Sequence, residues 1–343
     1  MRIAQFAPIW IPVPPRTYGG TEFVVSELTE GLAARGHEVT LFASGDSTTR
    51  ARLISPWPAA LWRAKLGSPH AVWSLHLDNL LEHQDEFDVI HNHCGFYIYP
   101  LAKFIRKPII NTLHRPLAPE DHKVFSRFSE SHYVPVSRDQ MESVPKLRHA
   151  RLIYNGIPTE RFIFNANPSD YLLWISKIIP SKGVLDAIRV AKLSGKHLKI
   201  AGNIVGEENE RFFKYEVQPL IDGEQIQFVG EADFEAKVAL FRNAKALLCP
   251  FTRREPFGLV MTEAMACGTP VIGFGNGAIP EIVEDGVTGF VVDTVEEMAA
   301  AVGRLGEIKR AACRQRVEEN FSVKRMIDEY EDLCGKLIQS GKV

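Results

Sequence analysis

Glu255-Pro-Phe-Gly-Leu-Val-Met-Thr-Glu263, continued by Ala-Met-Ala-Cys-Gly268 and the apolar run Thr269 to Phe274, reads as loop, short helix and strand. Pro256 suits the first turn of a helix, where its missing N–H costs nothing, and Gly268 suits the end. Two carboxylates therefore bracket one helix start. Gly258 allows a ligand to approach backbone closely, and the open N–H groups of Phe257, Gly258, Leu259 and Val260 carry the partial positive charge that seats phosphate. Glu263 offers only acceptors, which suits neutral hydroxyls such as those of a ribose. The plainer reading of the same residues is a capped amphipathic helix with two solvated acids.

Outward from this stretch, short apolar runs alternate with helical periods. The first half reads strand 2–7, helix 21–35, strand 38–43, strand 87–91, helix 97–105, strand 108–113, strand 132–136, helix 138–146 and strand 151–154. A turn cluster, Asn155-Gly-Ile-Pro158, opens a stretch to Asp170 that is poor in pattern and is read as a linker. The alternation restarts with strand 171–175, helix 183–194, strand 197–201, helix 209–219, strand 226–229, helix 234–243 and strand 246–249, and resumes after the opening segment with strand 270–274 and helix 294–305. Strands alternating with helices imply a parallel sheet covered on both faces, here twice. The expected fold class is α/β, two doubly wound Rossmann-like domains facing across a cleft, with ligands at the carboxyl ends of the strands. Domain bounds of 1–160, 161–321 and a closing amphipathic helix at 322–343 follow.

Composition narrows the class. Of 343 residues, 45% are hydrophobic and 24% charged, which suits an ordinary globular protein with sizeable cores. The net charge of −2 argues against a nucleic-acid surface. Five scattered cysteines form no metal-like pairing and suit a reducing compartment. A strand beginning at Arg2 leaves no room for a leader, and no apolar run approaches a membrane span, so the expected setting is cytoplasmic. Pro56-Trp57-Pro-Ala-Ala-Leu-Trp62-Arg63-Ala-Lys65 reads as a loop folded on its own domain, with contact to a membrane surface or an apolar acceptor as the alternative.

Four further constellations bear on chemistry. Gly19-Gly20-Thr21-Glu22 follows the first strand and opens a helix, so its paired glycines admit phosphate or a leaving group, or else form only a flexible turn. Lys177 and Lys182-Gly183 flank the loop after the first strand of the second domain, where two ammonium groups suit a diphosphate and scattered surface lysines are the alternative. His114 ends the strand 108–113 and reads either as a cleft residue or as a structural histidine bonding a carbonyl. His91, His93 and Cys94 close another strand; zinc held together with His114 is one reading, but no fourth ligand is evident from spacing, and a structural role is the safer reading. Gly273-Phe-Gly275-Asn-Gly-Ala278 with Asp293 matches a dinucleotide fingerprint only nominally, since it comes late in its domain.

Taken together, the Gly-Gly loop, the Lys-Gly turn, Glu-x7-Glu with Pro-Phe-Gly, and the Gly-rich loop before Pro280-Glu281 resemble the retaining glycosyltransferases of family 4, over nearly the whole chain. The resemblance implies the glycosyltransferase B fold, a donor in the second domain, an acceptor mainly in the first, and a terminal helix crossing back to the first. It implies hexosyl transfer with retention from a nucleoside diphosphate sugar, UDP- or GDP-linked, to an acceptor hydroxyl, in polysaccharide, glycolipid or other glycoconjugate synthesis. Acceptors would be carbohydrate, lipid-linked or small molecules, and peripheral contact with the inner membrane face is compatible with them. No cofactor or metal is expected. The implied catalytic residues are His114, Lys177, Lys182 and Glu255, with Gly19, Gly20, Phe257, Gly258, Leu259, Val260 and Glu263 binding the donor. His114 would meet a sugar hydroxyl, and Gly19-Gly20 would face the diphosphate. The family pattern is Gly-Arg, four residues, Lys-Gly; here Ser176-Lys177 replaces Gly-Arg, giving a point charge without the arginine fork. A nucleotide-sugar epimerase on this fold, a non-catalytic nucleotide-sugar sensor and an NAD oxidoreductase are the rival readings.

Overall fold

The computed structural model describes residues 1–62, 64, 66–144, 147 and 149–340. Arg63 and Lys65 of the aromatic and basic stretch, Pro145 and Lys146 at the end of the expected 138–146 helix, and positions 341–343 lie outside the described residues. The chain divides into two compact units, the first Met1–Gly156 with the segment from Val323, the second Ile157–Ser322.

Unit 1 is built on β1 (Arg2–Phe6), β2 (Glu38–Phe42), β3 (Arg52–Ile54), β4 (Val89–Asn92), β5 (Ile109–Leu113), β6 (His132–Pro135) and β7 (His149–Ala150). All pair in parallel, in the order β3-β2-β1-β4-β5-β6-β7. The order reverses direction between β1 and β4. Every residue of β4, and all but the first of β1 and β2, is buried, as expected of strands covered on both faces. The covering helices are α1 (Gly20–Ala34), α2 (Pro69–His83), α3 (Asp121–Arg127) and α4 (Arg138–Ser143).

Unit 2 repeats the plan with β8 (Tyr171–Ile175), β9 (His197–Ala201), β10 (Ile226–Gly230), β11 (Ala246–Cys249), β12 (Val271–Phe274) and β13 (Gly289–Val292), in the order β10-β9-β8-β11-β12-β13. Its reversal lies between β8 and β11. Helices α5 (Val184–Ser194), α6 (Glu207–Phe212), α7 (Phe234–Asn243), α8 (Leu259–Ala266), α9 (Ile279–Ile282), α10 (Val295–Gly303) and α11 (Arg310–Asn320) complete it.

The chain then re-enters unit 1 as α12 (Val323–Ser340), whose buried stripe is Met326, Ile327, Tyr330, Leu333, Cys334 and Leu337. It packs on α1, where the absence of a side chain at Gly31 makes room; a Cβ there would lie 2.1 Å from Ile327 Cδ1. Each large apolar side chain so buried contributes roughly 1.5–3 kcal/mol. Arg35 at the end of α1 pairs with Asp328 and Glu331, orienting the helix at its rim.

Four expectations need correction. Residues 151–154 form no strand: Arg151 N–H donates to Tyr133 O and Ile153 N–H to Pro135 O, but Pro135 has no N–H to return, so the ladder stops at β7. The segment 97–105 is a 3₁₀ helix, Gly95–Phe104, because Pro100 inside it cannot donate an α-helical bond. The segment 209–219 passes from α6 through a π turn to a 3₁₀ turn containing Pro219. Pro256 does not open a helix, since α8 begins three residues later, after Gly258 takes a left-handed conformation with φ 85°.

Candidate active site

In each unit the candidate residues gather where the strand order reverses, the position at which doubly wound sheets present their strand ends to ligands. In unit 2 the loops after β8 and β11 flank that point. The Lys182 turn is pinned by its backbone: Trp174 on β8 donates from Nε1 to Lys182 O at 2.9 Å, and Thr252 N–H donates to Ser181 O at 3.1 Å. Gly183, with φ 69°, is required there, because a Cβ would fall 2.0 Å from Pro250 O.

From this turn the Lys182 ammonium donates to Glu255 Oε2 and lies 4.5 Å from the centre of the Phe251 ring. Glu255 is held in turn by the loop after β12. Its carbonyl accepts from Ala278 N–H at 2.9 Å, and a Cβ on Gly277 would lie 2.4 Å from Glu255 N. Asn276 Nδ2 donates to Phe251 O at 2.6 Å. The Gly-rich loop is therefore a support for Glu255, and α9 after it has four residues, too short for a dinucleotide fingerprint helix.

Beside this pair starts α8. Leu259 and Val260 stand in its first turn and are half-buried, and their N–H groups have no partner within the helix. Gly258 is its cap residue; a Cβ there would meet Met261 Cε at 2.5 Å and Glu255 Cγ at 3.1 Å. The Phe257 side chain is buried and packs edge-on against Phe321, so any contact it makes with a ligand is through backbone. Glu263 is also buried, and its Oε1 accepts from Lys237 Nζ on α7 at 2.6 Å. Lys237 was not legible in advance: nothing in the spacing of α7 connects it with a residue 26 positions later. Among the described residues no other side chain bonds Glu263, which leaves its Oε2 for another donor. Lys177, half-buried just beyond β8, is not the lysine that bonds Glu255.

In unit 1 the reversal lies between β1 and β4. Gly19 is buried with φ 150°, and a Cβ there would lie 2.7 Å from Pro15 Cβ and 2.9 Å from Glu22 Oε2; Gly20 is exposed and begins α1. Glu22 itself is buried beneath this loop, and loss of hydration pushes its carboxyl up to about 7. Across the strand ends runs a chain of side chains. Gln5 Oε1 on β1 accepts from His93 Nε2 at 2.7 Å, and His93 Nδ1 lies 2.8 Å from His114 Nε2. His91 Nε2 lies 2.7 Å from Thr112 Oγ1, which lies 2.8 Å from the Tyr330 hydroxyl of α12. Burial lowers all three imidazoles, His114 to about 4 and His91 and His93 well below their usual value. The rings are thus committed to one another and to polar neighbours, and among the described residues no group of three or more His, Cys, Asp or Glu is arranged to hold a metal ion. Gln5 is a member of this network that the sequence reading missed, and the signal that could have found it is an amide inside the apolar strand Ile3 to Phe6.

The profile described as Glycosyl transferases group 1 matches residues 157–320, and the one described as Glycosyltransferase Family 4 matches residues 18–161. A glycogen synthase of Mycobacterium tuberculosis is 27% identical, over 90% of this chain and 89% of that protein. Among solved structures, a sucrose-phosphate synthase from Thermosynechococcus elongatus superposes with a TM-score of 0.82 at 22% identity, over 99% of this chain and 100% of that one. Anabaena HepE in complex with UDP-glucose gives 0.79 at 17% identity, over 98% of this chain and 100% of that one. Among the described residues no helix is long and apolar enough to cross a membrane. With both units matched and the paired doubly wound sheets in place, the chain belongs to the group 1 glycosyltransferases of the glycosyltransferase B fold.

Proposed function

We propose that this glycosyltransferase moves a hexosyl group from a nucleoside diphosphate sugar to an acceptor hydroxyl with retention at the anomeric carbon, without a metal or other cofactor. The observation that carries the reading is the Lys182–Glu255 pair beside the open first turn of α8. A cation and peptide amides converge there for a diphosphate, and a carboxylate for hydroxyls. The UDP-glucose held by Anabaena HepE supports a nucleotide-sugar donor.

In this reading unit 2 takes the donor. Lys182, assisted by Lys177, and the N–H groups of Phe257, Gly258, Leu259 and Val260 bind the diphosphate. Glu255 accepts from sugar hydroxyls, and Glu263 from the ribose through the oxygen that Lys237 leaves open. As the bond from the anomeric carbon to the phosphate oxygen breaks, negative charge grows on the leaving group, where lysine and amides stabilise it most. The acceptor oxygen bonds to the same face of that carbon, and its proton passes to the departing phosphate. The products are a nucleoside diphosphate and a glycoside with unchanged anomeric configuration. The acceptor belongs to polysaccharide, glycolipid or other glycoconjugate synthesis, and unit 1 binds it.

Thermal shift with UDP, GDP, UDP-glucose and GDP-mannose selects the donor, since a ligand at a hundred times its Kd adds about 2.7 kcal/mol. Product analysis with the selected donor and a panel of sugar and lipid-linked acceptors follows, in EDTA. Transfer with retained configuration is expected, and Lys182→Met should weaken binding of the diphosphate itself. Release of an epimerised donor without acceptor, inversion, or activity that EDTA abolishes and a divalent ion restores would overturn the respective part of the proposal.

A further inference from the structure

The side-chain chain across the strand ends of unit 1 fixes more than the position of His114. Gln5, His93 and His114 sit at the ends of three neighbouring strands, β1, β4 and β5, and the first two are buried. A neutral imidazole carries one N–H and one lone pair. Desolvation keeps both rings neutral at pH 7. Each hydrogen bond then dictates the next. Gln5 turns its Oε1, which can only accept, toward His93 and leaves its Nε2 buried with no bond among the described residues; in this orientation His93 carries its proton on Nε2. His93 Nδ1 is left with a lone pair, so the proton in the 2.8 Å contact belongs to His114 Nε2. His114 Nδ1 is left unprotonated. Among the described residues none bonds it, and it is not sealed from solvent as the orphaned Nδ1 atoms of His76 and His91 are.

We propose that Gln5 and His93 are positioning residues that lock His114 as its Nε2–H tautomer, so that His114 presents a lone pair and receives a hydrogen bond from a substrate hydroxyl. The inference rests on the proposed function for the identity of the substrate, not for the state of the ring. An acceptor atom does not bind a phosphate oxygen, so the partner of His114 is a hydroxyl of the sugar or the acceptor rather than the diphosphate. The lock also gives selectivity: a substrate lacking that hydroxyl leaves the lone pair unpaired and is disfavoured.

The test is ¹⁵N NMR of the full chain with labelled histidine at pH 7, the His114 ring signals being assigned by their loss in His114→Phe. In the wild type, His114 should show a protonated Nε2 and an unprotonated Nδ1. Gln5→Leu and His93→Phe should give a mixture of tautomers, and His93→Gln, whose amide can both donate to Gln5 and accept from His114, should restore the single state. With an active donor, kcat/KM should fall at least tenfold for the deoxy analogue lacking the bonded hydroxyl, and His93→Phe should bring that ratio near one. A wild-type ring protonated on Nδ1, or a tautomer unchanged in both disrupting variants, overturns the lock. Because the wild-type measurement decides by itself, a variant that fails to fold does not shield the proposal. A chain with the expected tautomer but no transfer activity would instead overturn the functional reading.

Discussion

The two units share one plan of folding and differ in what they keep inside. Of the 11 histidines only His197 falls in unit 2, and it is exposed, whereas His76, His91 and His93 are buried in unit 1 together with Gln5, Asn92, Asn111 and Thr112. Unit 2 instead shelters two ion pairs, Lys182–Glu255 and Lys237–Glu263. One sheet thus ends in neutral dipoles that can exchange hydrogen bonds with hydroxyls. The other ends in charges, which cost desolvation and persist only where backbone and partner hold them. A fold that tolerates both has left the chemistry to side chains at strand ends.

The comparison is broken most severely by removing charge from unit 2. Glu255→Gln should lower the transfer rate by about a hundredfold or more, the scale of losing one preorganised electrostatic contact, with a proportionately smaller loss of thermal midpoint because Lys182 is left without its partner, and with unchanged circular dichroism. Equal loss of activity and stability would make Glu255 a structural residue.

Acid should expose the opposite weakness, in unit 1. The folded-state values of His76 and His114 are lowered to about 4 by burial, and those of His91 and His93 well below the usual imidazole value, so between pH 4 and 6.5 the unfolded chain binds more protons. Stability is therefore full above pH 6.5 and falls as pH drops toward 4, by up to roughly 3 kcal/mol for a ring as buried as His76. Hydrogen exchange of the full chain at pH 7 and pH 5 should show β1, β4 and β5 losing protection before β8, β11 and β12. Uniform loss in both units would contradict the contrast.

Glu22 works in the reverse sense within the same unit. Its carboxyl, pushed up to about 7, binds a proton in the folded state that the unfolded chain has already released, so stability falls as pH rises from about 4.5 through 7. Glu22→Gln should add about 2 kcal/mol at pH 8 and little at pH 5, read from urea midpoints. An unchanged midpoint at pH 8 would mean that the carboxyl is hydrated. The smallest effect belongs to charge at the surface: Lys324→Ala, which removes an exposed pair with Asp328 on α12, should change stability by about 0.3 kcal/mol. A change above about 1 kcal/mol would show that surface pairs, too, carry the fold.

Much of this contrast was out of reach of local pattern. Strands 171–175, 197–201 and 246–249 and helix 234–243 were legible to the residue, because apolar runs bounded by turn residues have few other ways to be buried. Elements with weak pattern, such as β3, α2, α3 and α11, were not; α11 reads as mostly polar because Arg310, Arg314 and Arg316 turn inward to cap carbonyls. In the candidate site Glu255, Lys182 and His114 were recognisable from their place in motifs. Lys237 and Gln5 were not, because each meets its partner across a distance along the chain, 26 residues for Lys237–Glu263 and 88 for Gln5–His93.

By itself the sequence determined the alternation of strand and helix, the turns that only glycine can make, and the kinds of charge available at the strand ends, since all of these depend on steric and solvation preferences of neighbouring residues. The tertiary structure decided which of those ends meet. Strand order brings Gln5, His93 and His114 into one row and Lys182 against Glu255, and it puts Tyr330 of the last helix within 2.8 Å of Thr112. Such contacts arise only when distant segments are buried side by side. That is why the acidity of a histidine or the partner of a carboxylate belongs to the fold rather than to the motif that contains it.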